Sequence, residues 1–180
     1  YYRPVFLQAS NLCQEKKHTT LGDLIILLTD YHANGGYETL RDNVQMSDTP
    51  DYALMIRTTD LQNDNYDNDV KYVSESAYNF LKKSQVFGGE IIINKIGSAG
   101  KPYLMPFLNR KVSLGMNQFL LKINNIKIDN YYLYAYLVSS FGTNLINQKV
   151  TGAVPLSIDK QSVRDVIVPL PSQAFQKHIH

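Results

Sequence analysis

Lys95, Ser98 and Lys101 lie in a short glycine-flanked loop that follows an apolar run. Backbone N–H groups in such loops attract anions, and so do lysine ammonium groups. The spacing differs from that of a nucleotide-binding loop, G-x-x-x-x-G-K-[ST], because Lys95 stands at the first glycine position and Pro102 at the hydroxyl position. No side chain in the segment is an obvious catalyst. The loop therefore indicates binding rather than bond breaking, and its spacing argues against a nucleotide site.

Other catalytic chemistry has little support in the sequence. The four histidines are scattered without an i, i+4 pair, and the single cysteine, Cys13, excludes an internal disulfide and a multi-cysteine metal site. The acidic run at residues 60–69 lacks the glycine and the closing glutamate of a calcium loop. Ser98 does not lie in a G-x-S-x-G elbow. We therefore expect neither a metal site nor a nucleophile.

The net charge of +2 is unevenly distributed along the chain. Residues 1–70 carry 5 lysines and arginines against 11 acidic residues, residues 71–127 carry 9 against 2, and the remainder carries 4 against 3. A basic middle segment is typical of a face that binds a polyanion. The same counts would arise if the basic residues formed a solvated face whose charge is balanced by nearby acidic residues of the first third of the chain.

The chain has the size and composition of one domain. It is 180 residues long and 44% hydrophobic, and no apolar run approaches the length that spans a bilayer. We therefore expect no membrane contact. The single cysteine favours a reducing, cytoplasmic location. Because the chain begins without methionine, we expect it to be a fragment of a longer protein.

Hydrophobic patterning predicts a mixed α/β domain, with a twisted sheet flanked by helices. Strands are expected at residues 52–58, 70–73, 90–94, 104–107 and 119–123. Ser74 is expected to cap one helix, and a longer helix is predicted from Asn130 to Phe141, with Gly142 as its C-cap. Gly35 and Gly36 mark a loop that permits positive φ. The tail after residue 170 has the features of a helix start.

The predicted loops carry the residue types that contact nucleic acids. Lysine and arginine bind phosphates, whereas amide and guanidinium groups read base edges. The candidates are His32, Asn34, Tyr37 and Arg41 in a first loop, Lys95, Ser98, Lys101 and Tyr103 in a second, Arg110, Lys111, Asn117 and Gln118 in a third, and Asn147, Gln148 and Lys149 in a fourth. Each of them alone is more often a turn former or a solvated side chain. The tyrosines from Tyr131 to Tyr136 favour core packing over base stacking.

The order of short motifs along the chain resembles a known family. It includes LGDL, YALMIRTTDL, VKYVSESAYNFL, FGGEIIINKIGSAGKPYLMP, SLGMNQFLLKI, YYLYAYLVSS, QKVTGAVP and VIVPLPSQAFQKHI. Over nearly the whole chain, this succession resembles the target recognition domain of the DNA specificity subunits of type I restriction-modification systems, or the equivalent domain of a type II restriction-methylation enzyme. The G-S-x-G-K loop of the family is matched by Gly97, Ser98, Gly100 and Lys101. Glu90 departs from the family's usual aspartate.

The resemblance implies a non-catalytic domain that binds double-stranded DNA and reads one half of a split site through the major groove. Residues 1–170 would form this recognition domain, and residues 171–180 would begin the family's conserved spacer helix. The implied partners are DNA methyltransferase subunits and a restriction subunit that acts as motor and nuclease, in a phage-defence system. S-adenosylmethionine, ATP and Mg²⁺ would be bound by those partners, with no cofactor in this domain. Phosphate anchoring is expected from Lys95, Lys101, Arg110, Lys111 and Lys149.

Two other hypotheses remain open from the sequence. The chain could be an interaction module whose exposed tyrosines and tail dock a methyltransferase, with little DNA affinity of its own. It could also be a nucleotide-dependent enzyme that uses the Gly-Lys loop, in which case a nucleotide would raise its melting temperature. We expect no such rise.

Overall fold

A computed structural model describes residues 17–177 of the protein. The strands are β1 His18–Thr20, β2 Ile25–Asp30, β3 Ala53–Ile56, β4 Lys71–Val73, β5 Gln85–Val86, β6 Ile91–Asn94, β7 Pro102–Leu104, β8 Val112–Leu114, β9 Gln118–Ile123 and β10 Ile167–Pro169. The helices are α1 Leu21–Leu24, α2 Tyr37–Asn43, α3 Thr58–Asn63, α4 Glu75–Phe80, α5 Asn130–Val138, α6 Ser140–Asn147, α7 Lys160–Arg164 and α8 Gln173–Gln176. Short 3₁₀ turns cover Tyr31–Asn34 and Lys82–Ser84.

Two four-stranded sheets form the centre of the described chain. The first has the strand order β2-β9-β6-β7 and is antiparallel throughout. The second has the order β4-β3-β8-β5, in which only the central pair, β3 and β8, is parallel. β1 and β10 form a separate antiparallel pair. The mixed α/β class is as predicted, but the strands divide among several sheets where the sequence indicated one.

The two larger sheets are stacked face to face, with helices on both outer sides. In β6, Ile91 packs in the core beneath α5 and α6, whereas its neighbour Ile92 packs in the core between the sheets. In β3, Leu54 faces the core between the sheets and Met55 faces α2 and α4. Because both faces of these strands are buried, their sequences IIIN and ALMI are almost continuously apolar rather than alternating.

The helix predicted from Asn130 to Phe141 is divided in two. α5 ends at Val138, and the side chain of Ser139 accepts a hydrogen bond from Gly142 N to cap α6. Gly142 therefore lies in the first turn of α6 and is not a C-cap. A Cβ at this position would overlap the carbonyl of Tyr136 at the end of α5, so glycine allows the two helices to approach closely.

Several other boundaries differ from the sequence-based prediction. The strand predicted at residues 52–58 ends at Ile56, and Thr58 begins α3. The strand predicted at 104–107 lies earlier, as β7. The predicted loop between residues 109 and 118 contains β8. Two predicted helix starts are confirmed, one at Ser74 and one in the tail at Ser172. Each of these serine side chains accepts a hydrogen bond from the backbone N–H of the third residue after it.

The strand directions bring several chain segments to one edge of the sheets. β2 and β6 are both antiparallel to β9, so they end where β9 begins; β3 and β8 are parallel and end together. Thr58 Oγ1 lies 3.4 Å from Asn94 Oδ1, which joins the ends of β3 and β6. We call this side the loop edge, residues 31–36, 57–62, 95–101, 115–117 and 147–160. The opposite side, residues 87–90, 106–111 and 122–129, is the far edge.

Candidate functional site

The glycine-flanked loop is held rigidly at the loop edge. Gly97 and Gly100 both have positive φ, at 85° and 83°. Gly100 N donates to Asn94 O (2.8 Å), and Gly97 N donates to Leu156 O (3.0 Å). A Cβ at Gly100 would overlap the side chain of Ile146 in α6. The predicted glycine turn is therefore confirmed, and its conformation fixes where Lys101 leaves the loop.

A polar network supports this loop from below. Asn94 is fully buried, and its Nδ2 donates to Ser98 Oγ (2.6 Å) and to Tyr103 OH (3.4 Å). Gln62 Nε2 also donates to Ser98 Oγ (3.2 Å). Tyr103 is 9% exposed. Tyr103 is nearly buried and its hydroxyl accepts from Asn94, so it supports the loop, which argues against its assignment as a side chain that contacts a ligand. Ser98 is exposed, and its contact with a ligand stays a prediction.

Gln118 also lies inside the protein rather than on a loop. It is the first residue of β9 and is fully buried. With the amide oriented to satisfy both of its atoms, Nε2 donates to Ile56 O (3.1 Å) and Oε1 accepts from Thr58 N (3.0 Å). The side chain thus holds the two sheets together. The prediction that Gln118 reads bases is wrong, because no ligand can reach it. Its neighbour Asn117 is exposed at the turn between β8 and β9.

The first predicted loop is largely helical. Gly35 is extended and Gly36 has a φ of −69°, so neither uses the positive φ that the sequence suggested. Asn34 Nδ2 donates to Tyr31 O and Ser84 Oγ, and its Oδ1 accepts from Lys83 N, so this amide ties two 3₁₀ turns together.

The other residues of that segment remain exposed. His32 is exposed beside the edge of the Tyr31 ring. Tyr37, 74% exposed, begins α2, and Arg41 on the same helix pairs with Asp42 at 3.0 Å. Tyr37 and Arg41 are therefore presented by a helix rather than by a loop.

The third predicted loop is divided between the two edges. Arg110 and Lys111 precede β8, whereas Asn117 follows its end. Arg110 donates to the carbonyl of Tyr66 and pairs with Asp67 at 3.0 Å. Lys111 lies 6.0 Å from the centre of the Tyr78 ring. Both cations lie at the start of β8, at the opposite end of that strand from Asn117. The segment that Arg110 contacts extends to a hollow beside Lys101, because Tyr66 lines that hollow too.

The fourth predicted loop does join the loop edge. Asn147 ends α6 rather than lying in a loop, and Gln148 and Lys149 follow it. Ile158 N donates to Lys95 O (3.0 Å), and Gly97 N donates to Leu156 O, so the segment after α6 runs beside the glycine loop. Lys149 is therefore near the same edge as Lys95 and Lys101.

Lys95 is part of an ionic cluster that the sequence did not reveal. Its Nζ lies 3.4 Å from one oxygen of Asp30, and Lys160 Nζ lies 3.2 Å from the other. Both ammonium groups also lie over the Phe119 ring, at 5.5 and 6.0 Å from its centre. Burial alone would raise the pKa of Asp30, but the hydrogen bond and charge of Lys160, and then those of Lys95, outweigh it and lower that pKa below its usual value.

No local signal could have found this cluster. Asp30 is separated from Lys95 by 65 residues and from Lys160 by 130. Its position at the end of β2 is next to Lys95 only because β2 and β6 flank β9 in the sheet. Asn94 and Thr58, which organise the loop edge, were also missed, since an isolated polar residue at a strand end is common in turns.

Several hollows reach the loop edge, and two of them have the volume to receive parts of a ligand. One, of about 330 Å³, is lined by nine residues that include Met46, Arg57, Met116 and Asn117. The other, of about 850 Å³, adjoins Lys101 and is bordered by Tyr134. Tyr132 and Tyr136 of α5 pack against β10, as predicted, and their hydroxyls donate to its carbonyls, whereas Tyr131 is 45% exposed.

The described part of the chain offers a surface of cations, amides and apolar hollows. Within residues 17–177, no group of three or more histidine, cysteine, aspartate or glutamate side chains could hold a metal ion. No helix in that same part of the chain is long and apolar enough to cross a bilayer.

Solved structures share this fold at low sequence identity. The S subunit of a type I restriction-modification system from M. genitalium matches with a TM-score of 0.56 at 13% identity, over 90% of this chain and 36% of that one. The HsdS subunit from Thermoanaerobacter tengcongensis matches with a TM-score of 0.58 at 12% sequence identity, over 97% of this chain and 41% of that one. A structure that concerns complex assembly and conformational transition of the type I R-M system matches with a TM-score of 0.62 at 12% sequence identity, again over 97% of this chain and 41% of that one. The chain thus spans less than half of each.

Sequence comparison identifies the family directly. Comparison with curated proteins finds no match. The family model described as type I restriction modification DNA specificity domain matches residues 15–180. This confirms the resemblance that the motif order indicated, and with it a role in sequence-specific DNA recognition within a restriction-modification system, where the specificity domain is not the catalytic part. The chain belongs to the family of type I restriction modification DNA specificity domains.

Proposed function

We propose that the loop edge is the surface through which this domain binds duplex DNA and reads one half of a split site in the major groove. One observation carries the proposal: strand ends from both sheets bring Lys95, Lys101, Lys149 and the exposed Asn117 to a single edge. These residues come from three separate predicted loops.

The chemistry of this edge suits a division between phosphate and base contacts. Lys101, exposed and 5.3 Å from the centre of the Tyr103 ring, leaves a loop whose backbone is fixed by two positive-φ glycines. Fixed cations set the register of a protein on the DNA backbone, whereas amides read base edges. Asn117, at a turn with a φ of 65°, is the amide best placed to read a base, for which bidentate bonding to adenine is the common geometry.

The partners and cofactors expected from the family remain part of the proposal. We propose that methyltransferase subunits and a restriction subunit act on the DNA that this domain selects, and that they bind S-adenosylmethionine, ATP and Mg²⁺. Residues 1–170 would form the recognition domain. α8, which Ser172 caps, would begin the spacer helix expected in residues 171–180, of which residues 178–180 lie outside the described chain.

Selection from a random duplex library tests the proposal. The chain would be incubated with the library at low salt, and bound duplexes would be sequenced; we expect enrichment of a short motif. Lys101→Ala should weaken binding and reduce the slope of log affinity against log salt by about 0.9. Lys122→Ala is the matched control, because Lys122 also lies over an aromatic ring, Phe87, at 4.7 Å, but on the far edge. Absence of binding at low salt would contradict the proposal.

A second candidate function, docking of a protein partner, is favoured by one feature of the far edge. Phe87 and Phe107 are 60% and 67% exposed there, and Phe107 packs against Gly88. Exposed aromatic residues of this kind are enriched at protein interfaces. If the domain docks a methyltransferase and lacks DNA affinity, Phe107→Ser should abolish co-purification with that subunit while no duplex binds at any salt concentration.

A further inference from the structure

We propose that Lys95 and Lys160 together bind one DNA backbone phosphate, and that Asp30 positions them for it. This inference rests on the proposed function of the loop edge and adds two residues to it. Lys160 becomes a phosphate-binding residue, and Asp30 becomes the group that sets how much positive charge the site offers.

The geometry of the cluster supports a shared phosphate. Asp30 is 7% exposed, and each of its carboxylate oxygens is next to one of the two ammonium groups. The lysine side chains are more accessible, at 33% for Lys95 and 41% for Lys160. The carboxylate therefore lies beneath the two cations, which retain a solvent-facing side where an anion can approach.

The charge balance also favours an anion. Two ammonium groups share a single carboxylate, so the cluster carries one uncompensated positive charge. Stacking over Phe119 restricts both lysines to neighbouring positions, which lowers the entropic cost of bringing them to one ligand. The hydroxyl-bearing residues Thr151 and Ser157 line the same hollow, of about 480 Å³. Asp159 lines it too and adds a second negative charge to the hollow. Its carboxylate accepts a hydrogen bond from Ser162 N and so is directed toward the start of α7.

In this arrangement, Asp30 weakens the binding of a phosphate by the two lysines. A phosphate must compete with the carboxylate for the ammonium groups, so the site binds more weakly than two free lysines would. If one lysine is removed, Asp30 neutralises the other completely and the excess charge disappears. If Asp30 is replaced as well, the remaining lysine is released and an excess charge of one is restored.

Three variants, compared with the native chain, test this charge balance through the salt dependence of DNA binding. Affinity for a fluorescein-labelled duplex would be measured by anisotropy over a salt series for the native chain, Lys160→Ala, Asp30→Asn and the double variant Asp30→Asn/Lys160→Ala. We expect Lys160→Ala to reduce the log–log salt slope by about 0.9 and the double variant to regain the native slope. Asp30→Asn should keep the native slope and bind more tightly, because the carboxylate no longer competes with the one phosphate. Lys122→Ala should leave the slope unchanged, and thermal melts would verify that each variant is folded.

The outcomes separate this inference from the proposed function. Suppose that the native chain binds DNA with a steep salt slope and that Lys160→Ala has the same slope as Lys122→Ala. The proposal that Lys95 and Lys160 share a phosphate is then wrong, whereas the loop edge can still be the DNA-binding surface. If Lys160→Ala lowers the slope but the double variant does not regain it, the role of Asp30 is overturned. Binding of inorganic phosphate at the lysine pair that leaves the DNA affinity unchanged at equal ionic strength would indicate a separate site for free phosphate, and would contradict the assignment to DNA.

Discussion

Asn94 donates a hydrogen bond of 2.6 Å to Ser98, four residues further along the chain, and so connects the buried end of β6 to the tip of the glycine loop. The same amide is 3.4 Å from Tyr103 OH and from Oγ1 of Thr58, which begins α3 just after β3 of the second sheet. One buried side chain therefore couples both sheets to the loop that presents Lys101.

This relationship predicts a large effect of Asn94→Ala. The substitution leaves the buried hydroxyl of Tyr103 without its donor and opens a small cavity, so we expect the free energy of unfolding to fall by about 2–4 kcal/mol. Ser98→Ala removes a partner at the exposed tip and should cost about 1 kcal/mol. Urea unfolding of both variants measures the difference. Equal effects would mean that Asn94 serves the loop alone and not the junction of the sheets.

Replacing either glycine of the loop by alanine should lower the stability of the fold, by different amounts at Gly97 and at Gly100. Alanine at Gly97 meets no atom within 4 Å, so Gly97→Ala should cost only the strain of positive φ, about 1–2 kcal/mol. Alanine at Gly100 has the same strain and also overlaps Ile146, so Gly100→Ala should cost clearly more. Unfolding in urea checks both variants. In a double-mutant cycle, Gly100→Ala should cost less in an Ile146→Ala background than in the native chain, because the overlap with Ile146 is absent there. If the two single variants were equally stable, contact with α6 would not matter.

The lowered pKa of Asp30 predicts a dependence of stability on pH. Its folded-state pKa lies below its unfolded value, so its ionised form contributes stability above the unfolded pKa, near 3.8, and that contribution is lost as pH falls through the folded-state pKa. Asp30→Asn should therefore be less stable than the native chain at pH 7, by about 1–3 kcal/mol, and the difference should shrink as the pH is lowered below 3.8. Urea unfolding across this range measures it. A difference that is constant with pH would contradict the ion pairs.

The position of Arg110 and Lys111 predicts that they contribute little to DNA binding. Because both precede β8 at the far edge, Arg110→Ala/Lys111→Ala should leave the salt slope of duplex binding nearly unchanged. Lys101→Ala/Lys149→Ala removes the same number of charges from the loop edge and should lower the slope by about 0.9 for each phosphate that is no longer neutralised. Anisotropy titrations compare the two double variants. Equal reductions in slope would show that net charge, rather than the loop edge, governs binding.

Much of the local structure follows from the sequence alone. Continuous apolar runs such as that of β6 indicate buried strands, and Ser74 marks a helix start because its hydroxyl can accept an otherwise unpaired backbone N–H. Gly97 and Gly100 indicate a loop, which the fold contains; that both have positive φ is seen only in the structure. The order of motifs was sufficient to identify the family. These signals are local or follow chain order, so they need no knowledge of which strands pair.

Tertiary structure decided which of the candidate residues share a surface. Gln118 and Asn117 are adjacent in sequence, yet one is buried between the sheets and the other is exposed, because β9 begins between them. Arg110 is separated from the loop edge by the direction of β8. Asp30 and Lys160 meet only after β2 pairs with β9 and the segment after α6 runs beside the glycine loop. Such contacts depend on long-range pairing, which residue types and spacing do not encode locally.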